Sequence, residues 1–310
     1  MGGSSGGFFR SGEKDPFEYG KKLRESEQRS LDKEFEASVG KVINDLLERY
    51  NRRDVEATSK HLDLIKTKLD KELDSSVNLI FNGSVAKHTY VDGFSDVDAL
   101  IVIDKKSFEG KSPKEVREEI GDLIKERLPK TQVKVGSQAI TILFNDQKIQ
   151  VLPATKYYNG YRISDESGNN WSHIKPKEFA NKLTKVNSEM AGKLVPTIKL
   201  AKSIIGQNES SKINGFHTES LAIDIFKDYN GNKNVKAMIK HFFSMASNKV
   251  LDPIKDSKGN SISVDNYLGS SNSLERKIIS NSFDRIYRRM NNADGSQNIE
   301  YWKKILGSKS

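Results

Sequence analysis

The sequence predicts an α+β protein: a small mixed sheet with flanking helices in the N-terminal half, packed on a helical C-terminal half. Three observations carry this reading. Apolar residues recur at helical spacing before residue 74. Short β-type runs separated by turn residues occupy residues 77–152. Beyond about residue 155 the strand signal ends and helical periodicity continues to the C terminus.

Taken in order, the glycine- and serine-rich opening MGGSSGGFFRSGEKD reads as a disordered tail, residues 1–16. Leu31, Phe35, Val39, Val42, Leu46 and Tyr50 then recur three or four apart, an amphipathic helix. Asp54 is placed to cap a second helix carrying Val55, Leu62, Ile65, Leu69 and Leu73. Two apolar runs, Val77 to Phe81 and Ala99 to Ile103, flank a small-residue turn and a polar loop. Ser112-Pro113-Lys114-Glu115 has capping-box spacing with proline at the first helical position, opening a helix through Val116, Ile120, Ile124 and Leu128. Strands are predicted at 131–135 and 139–144. A third, Ile149 to Leu152, is ended by Pro153. Helices follow through Ile174, Phe179, Leu183, Val186 and Met190, and then over 194–205, 216–229, 235–245 and 274–290. With no long linker, the expected division is a core over 17–155 and a helical domain over 156–310, closing on a cleft.

Composition narrows the chemistry. The chain has 310 residues and no cysteine, which excludes disulfides and thiolate metal sites, and its five histidines lack zinc spacing. No apolar stretch reaches the roughly 18 residues of a membrane span and no signal peptide is recognised, so a cytoplasmic protein with no membrane partner is expected. The net charge of +9 suits a polyanionic partner. Residues 175–212 alone hold eight lysines against three glutamates, and Arg285, Arg288 and Arg289 share one predicted helix. These charges read as a solvated surface, a triphosphate pocket or a nucleic-acid-binding face.

The most informative segment is SVNLIFNGSVAKHTYVDGFSDVDALIVID. Gly83-Ser84 ends the first β-type run, and Asp96-Val97-Asp98 enters the second, Asp96 lying twelve residues after the serine. Residues i and i+2 of a strand share a face, so the two aspartates project together. Carboxylates held that close repel unless cations lie between them. Paired Mg²⁺ (or Mn²⁺) ions about 3.5–4 Å apart stabilise the attacking and leaving oxygens of phosphoryl transfer. Glycine lets the backbone approach a phosphate, and N–H groups at the start of a short helix from Val85 favour an anion. DxD or Gly-Ser alone is ordinary; strand, turn, spacing, DxD and second strand together read as a nucleotidyltransferase.

With IQVLPATK, then KLVPTIKLAKSIIG, then NGFHTESLA in that order, the chain resembles the bacterial cyclic-oligonucleotide synthases of anti-phage defence, relatives of animal cyclic GMP-AMP synthase and oligoadenylate synthase. The resemblance implies a polymerase-β-like nucleotidyltransferase core packed on a C-terminal helical domain. ATP or GTP would lie in the cleft. It assigns Gly83 and Ser84 to the triphosphate and Asp96 and Asp98 to Mg²⁺. Lys199 or Lys202, three apart on one helix face, would reach the β- and γ-phosphates; exposed helix lysines are the bland alternative. Phe216 would stack on a base, against a plain core role.

One position departs from the family. Where a third carboxylate is usual, before the Pro-Ala step, the chain has Gln150. A glutamine is a neutral oxygen donor, able to ligate metal weakly and unable to act as the general base. Asp146 shares strand parity with it but falls in a predicted turn, about 13 Å away along an extended strand. The expected function is therefore metal-dependent synthesis of a cyclic di- or oligonucleotide second messenger from ATP and GTP, read by a separate effector. The alternatives are nucleotide transfer to RNA or protein, and a catalytically weak nucleic-acid-binding sensor. An activating RNA or DNA duplex on the basic surface is compatible with the first and the last.

Overall fold

The computed structural model describes residues 16–52, 55–71, 77–81, 87–91, 97–103, 108–165, 167–208, 213–254 and 265–308. The expected tail, the Asp54 cap, the helix from Val85 and the residues Gly83, Ser84 and Asp96 lie outside them.

Two helices come first, α1 (Pro16–Tyr50) and α2 (Val55–Asp70). The sheet strands are β1 (Asn78–Phe81), β2 (Val97–Ile103), β3 (Gln132–Val135), β4 (Ile140–Leu143), β5 (Lys148–Tyr157), β6 (Gly160–Ser164) and β7 (Trp171–Ile174), with α3 (Pro113–Arg127) between β2 and β3. Ser112 caps α3 as expected: its hydroxyl accepts from the Glu115 N–H at 3.3 Å, and the Glu115 carboxylate accepts from the Ser112 N–H at 2.7 Å. The strand order is β1-β2-β5-β4-β3, with β6 on the far half of β5 and β7 on β6. Only β2 and β5 run parallel among the described strands, which makes the sheet mixed.

Two readings are corrected here. Pro153 does not end its strand: β5 continues to Tyr157, with Pro153 opposite Ile101 of β2. On the other edge of β5 the ladder to β4 stops at Val151 and the ladder to β6 begins at Ala154. The residue lacking an N–H thus sits at a break in the pairing, where proline is tolerated. Nor does the strand signal stop near 155, since β6 and β7 follow and Ile174 closes β7 rather than opening a helix. The overlooked signal was Asn159-Gly160. Tyr157 pairs with Gly160 across a two-residue loop in which Tyr158 takes φ 47°, the left-handed geometry of tight hairpins. A side chain at Gly160 would meet the Ile174 carbonyl at 2.2 Å, so only glycine fits beside β7.

The sheet separates two apolar layers. Ala99, Ile101, Ile103, Ile149 and Val151 face α2 and α3, packing with Leu62, Ile65, Val116 and Ile120. Leu100, Val102, Ala154 and Ile163 cover the opposite face. The helical half comprises α4 (Pro176–Glu189), α5 (Leu194–Gly206), α6 (Gly215–Phe226), α7 (Val235–Lys249), α8 (Leu274–Gly295) and α9 (Ile299–Leu306). Its core takes in Val39, Ile43, Leu46 and Tyr50 of α1 and Val91 of the segment between β1 and β2. Helix α1 and that segment therefore tie the helices to the sheet-bearing half.

Candidate active site

Asp98 is the second residue of β2, and the parallel register sets it directly beside Gln150 of β5, whose other neighbour is Thr141 of β4. Alternation along β5 puts Gln150 in phase with Leu152 and Ala154, away from the face covered by α2 and α3. The position beside Asp98 is thus occupied by an amide. Asp146 is not its substitute. It lies in the β4–β5 turn, where its carboxylate meets His61 Nε2 of α2 at 2.9 and 3.1 Å, and the His61 ring stacks on Phe144 at 3.9 Å. Among the described residues no group of three or more His, Cys, Asp or Glu is arranged to hold a metal. The candidate donors, Asp96, Asp98 and the Gln150 carbonyl, are hard oxygens of the kind magnesium prefers.

The second half of the candidate site is built around the chain just past Gly83-Ser84. Lys87, three residues after the serine, donates to Glu219 of α6, as does Thr89. Lys202 of α5 donates to the same carboxylate at 2.7 Å and to the Thr89 carbonyl at 3.1 Å. The Glu219 side chain is 1% exposed. Burial alone would raise its carboxyl, but the Lys202 and Lys87 ammonium groups outweigh that and hold it below the usual carboxylate range. This clamp fastens the segment that follows Gly83-Ser84 in sequence onto two helices.

Neither predicted lysine is an exposed helix lysine. Lys202 is committed to Glu219. Lys199 is also buried, donating to the Asn51 side-chain carbonyl and lying 4.2 Å from the centroid of the Tyr90 ring. It has no carboxylate partner among the described residues. Burial, and then the Lys202 charge, pull its pKa down to about 8. A cation so placed is available to an incoming anion.

Phe216, in the first turn of α6, is 41% exposed, so it is not a core residue. It meets Phe179 of α4 with ring centroids 4.7 Å apart, and Lys87 Nζ lies 4.6 Å from the Phe179 centroid and 5.4 Å from that of Phe216. The two rings form a partly open aromatic surface beside an ammonium.

Lys87, Glu219, Asn51 and Phe179 went unnoticed as site residues in the sequence. Helix α5 did carry a usable signal: LVPTIKLAKSIIG is apolar apart from Thr197, Ser203 and its two lysines, a pattern of a helix buried all round. The polar run Thr218-Glu219-Ser220 inside apolar α6 carried the same message, and all three are buried. Which lysine Glu219 would neutralise is a long-range matter that no local pattern encodes.

Residues 39–187 match the family model described as "Second Messenger Oligonucleotide or Dinucleotide Synthetase domain". No curated protein matches the chain by sequence. Solved structures do resemble it in fold. E. coli MS115-1 CdnC with ATP is 16% identical at a TM-score of 0.66, over 86% of this chain and 97% of that one. Vibrio cholerae DncV, a cyclic AMP-GMP synthase with the linear intermediate 5' pppA(3',5')pG, is 11% identical at a TM-score of 0.64, over 95% of this chain and 91% of that one. Rhodothermus marinus CdnE, a c-UMP-AMP synthase with Apcpp and Upnpp, is 14% identical at a TM-score of 0.56, over 79% and 96%. The matched stretch includes Gly83-Ser84, Asp96-Val97-Asp98 and β5, and the fold shared with the solved structures continues through the helical half.

Proposed function

We propose that the protein joins ATP and GTP into a cyclic di- or oligonucleotide, a second messenger for anti-phage defence read by a separate effector. The observation that carries the proposal is the register of Asp98 beside Gln150 at the end of a segment whose other side, Lys87 to Val91, is clamped to α5 and α6. Metal-bearing and phosphate-binding elements so connected form one site around a single triphosphate.

In this reading the backbone at Gly83-Ser84 and the Lys199 ammonium hold the β- and γ-phosphates, and the base rests on the Phe216–Phe179 surface. Asp96 and Asp98, with the Gln150 carbonyl, would hold Mg²⁺ or Mn²⁺, which when bound neutralises charge on the attacking and leaving oxygens. A ribose hydroxyl of one nucleotide attacks the α-phosphorus of the other. The new O–P bond forms as the α–β bridging bond breaks, and pyrophosphate leaves with the bridging electron pair. The hydroxyl proton, which Gln150 cannot take, passes to water, so positioning and charge carry more of the rate than a general base does. Repeating the step on the reoriented linear product closes the ring.

Incubation with labelled ATP and GTP in Mg²⁺ tests this. A phosphatase-resistant small product is expected, and Asp96→Asn or Asp98→Asn should abolish it. Label appearing on RNA or protein instead, or product persisting in both variants, overturns the assignment.

A further inference from the structure

A separate cavity of about 260 Å³ opens on the sheet, lined by Phe108, Glu109, Lys111, Thr155, Arg162 and Trp171. It is not part of the candidate active site. Thr155 lies five residues beyond Gln150 on β5, about 17 Å along an extended strand. It is also in phase with Ile149 and Val151, whose side chains pack against α2 and α3, whereas Gln150 has the opposite phase.

Two residues lining this cavity carry buried donors that lack partners. Thr155 is 4% exposed and its hydroxyl makes no hydrogen bond. Its register partner Arg162 has a buried Nε with no acceptor. The guanidinium is held by its faces: its central carbon lies 4.5 Å from the Tyr157 ring centroid and 5.9 Å from that of Trp171. A guanidinium stacked this way donates hydrogen bonds only in its own plane, and that edge is what remains unsatisfied. Lys111, 5.2 Å from the Phe108 centroid, is paired with Glu119 at 2.5 Å and sits nearer the rim, as does the exposed Glu109. An unpartnered buried donor costs about 1–3 kcal/mol, and two such donors belong to residues that line one cavity.

We propose that this cavity binds a small oxyanion, the carboxylate or phosphate group of a metabolite, with Arg162 and Thr155 as its donors. The half-buried guanidinium is held in place by its ring contacts and can offer charge-assisted hydrogen bonds, the stronger kind, to an oxyanion. The volume lies just below the roughly 300–1,000 Å³ of drug-sized sites, which restricts the occupant to a small molecule.

The test uses the full chain, without divalent metal and at constant ionic strength, titrated in parallel with inorganic phosphate and with succinate. Binding is followed by calorimetry and by the fluorescence of Trp171; the second tryptophan, Trp302, is fully buried in the helical half. Saturable binding is expected with at least one anion, and which one responds separates a phosphate ligand from a carboxylate ligand. Arg162→Met should weaken it at least about tenfold, the loss of one charge-assisted hydrogen bond. Thr155→Val, which keeps the side-chain shape and so the fold, should weaken it as well. Absence of saturable binding with either anion, or unchanged affinity in Thr155→Val together with a folded Arg162→Met, overturns the proposal.

Discussion

Replacing Glu219 by glutamine is the sharpest probe of how the two halves of the site are held together. Its side chain is 1% exposed, and its ammonium partners Lys202 and Lys87 are 8% and 10% exposed. Water therefore offers little compensation when the countercharge goes. The amide keeps one acceptor oxygen but turns an N–H₂ group toward whichever donor the oxygen does not face. Removing one member of a buried charge pair costs about 3–5 kcal/mol, mostly from the charge left unpaired. With about 2–4 °C per kcal/mol for chains of 150–250 residues and somewhat less for longer ones, Glu219→Gln should lower Tm by roughly 5–10 °C. Scanning calorimetry of wild type and variant measures it. The cause is separable from a packing defect: adding Lys87→Met and Lys202→Met to Glu219→Gln removes the orphaned charges and should return much of the lost stability. A shift below about 1 °C, or no recovery on removing the lysines, refutes the claim that this carboxylate clamps the segment after Gly83-Ser84.

With Lys199 in the phosphate-binding role proposed above, the activity should depend on pH. Burial and Lys202 hold its pKa at about 8, below the usual lysine value, so the free enzyme loses this charge as pH rises through about 8. The kcat/KM for nucleoside triphosphate should fall over that interval and fall less in Lys199→Arg, which stays charged; a flat wild-type profile to about pH 9 removes Lys199 from phosphate binding. For stability the sign is opposite. Between about pH 8 and 10.4 the unfolded lysine keeps a proton that the folded one has lost, so this group favours the folded state as pH rises. Gln150→Glu places a second carboxylate on the strand beside Asp98. At the roughly 4.8 Å strand spacing and an effective dielectric near 20, the repulsion is about 3 kcal/mol. Mg²⁺ should therefore raise the Tm of Gln150→Glu more than that of wild type, and equal Mg²⁺ responses would place Gln150 away from the metal.

Much of the fold was readable in the chain because its signals are local. The capping box at Ser112 and the 3.6-residue periodicity of α1 and α3 depend on residues a few positions apart. Where a signal was short, the reading failed. The four residues of β7 are all half-buried and show no alternation, so the strand is defined by its pairing with β6 and not by its own pattern. The same holds for Pro153, which looks like a strand end until the break between the β4 and β6 ladders is known.

The site divides along the same line. Gly83-Ser84 and Asp96-Val97-Asp98 suggested a metal and a triphosphate through residue type and spacing within one short segment. Gln150 could be named as the odd residue from its place before Pro153-Ala154, and the parallel register then put it beside Asp98. Sequence could nominate Lys199 and Lys202 but not tell them apart. That distinction rests on Glu219 and Asn51, which lie 17 residues after Lys202 and 148 before Lys199. Pairwise charge interactions fall off with distance in space and carry no trace in local pattern. The helices had to pack before one lysine met a carboxylate and the other an uncharged amide.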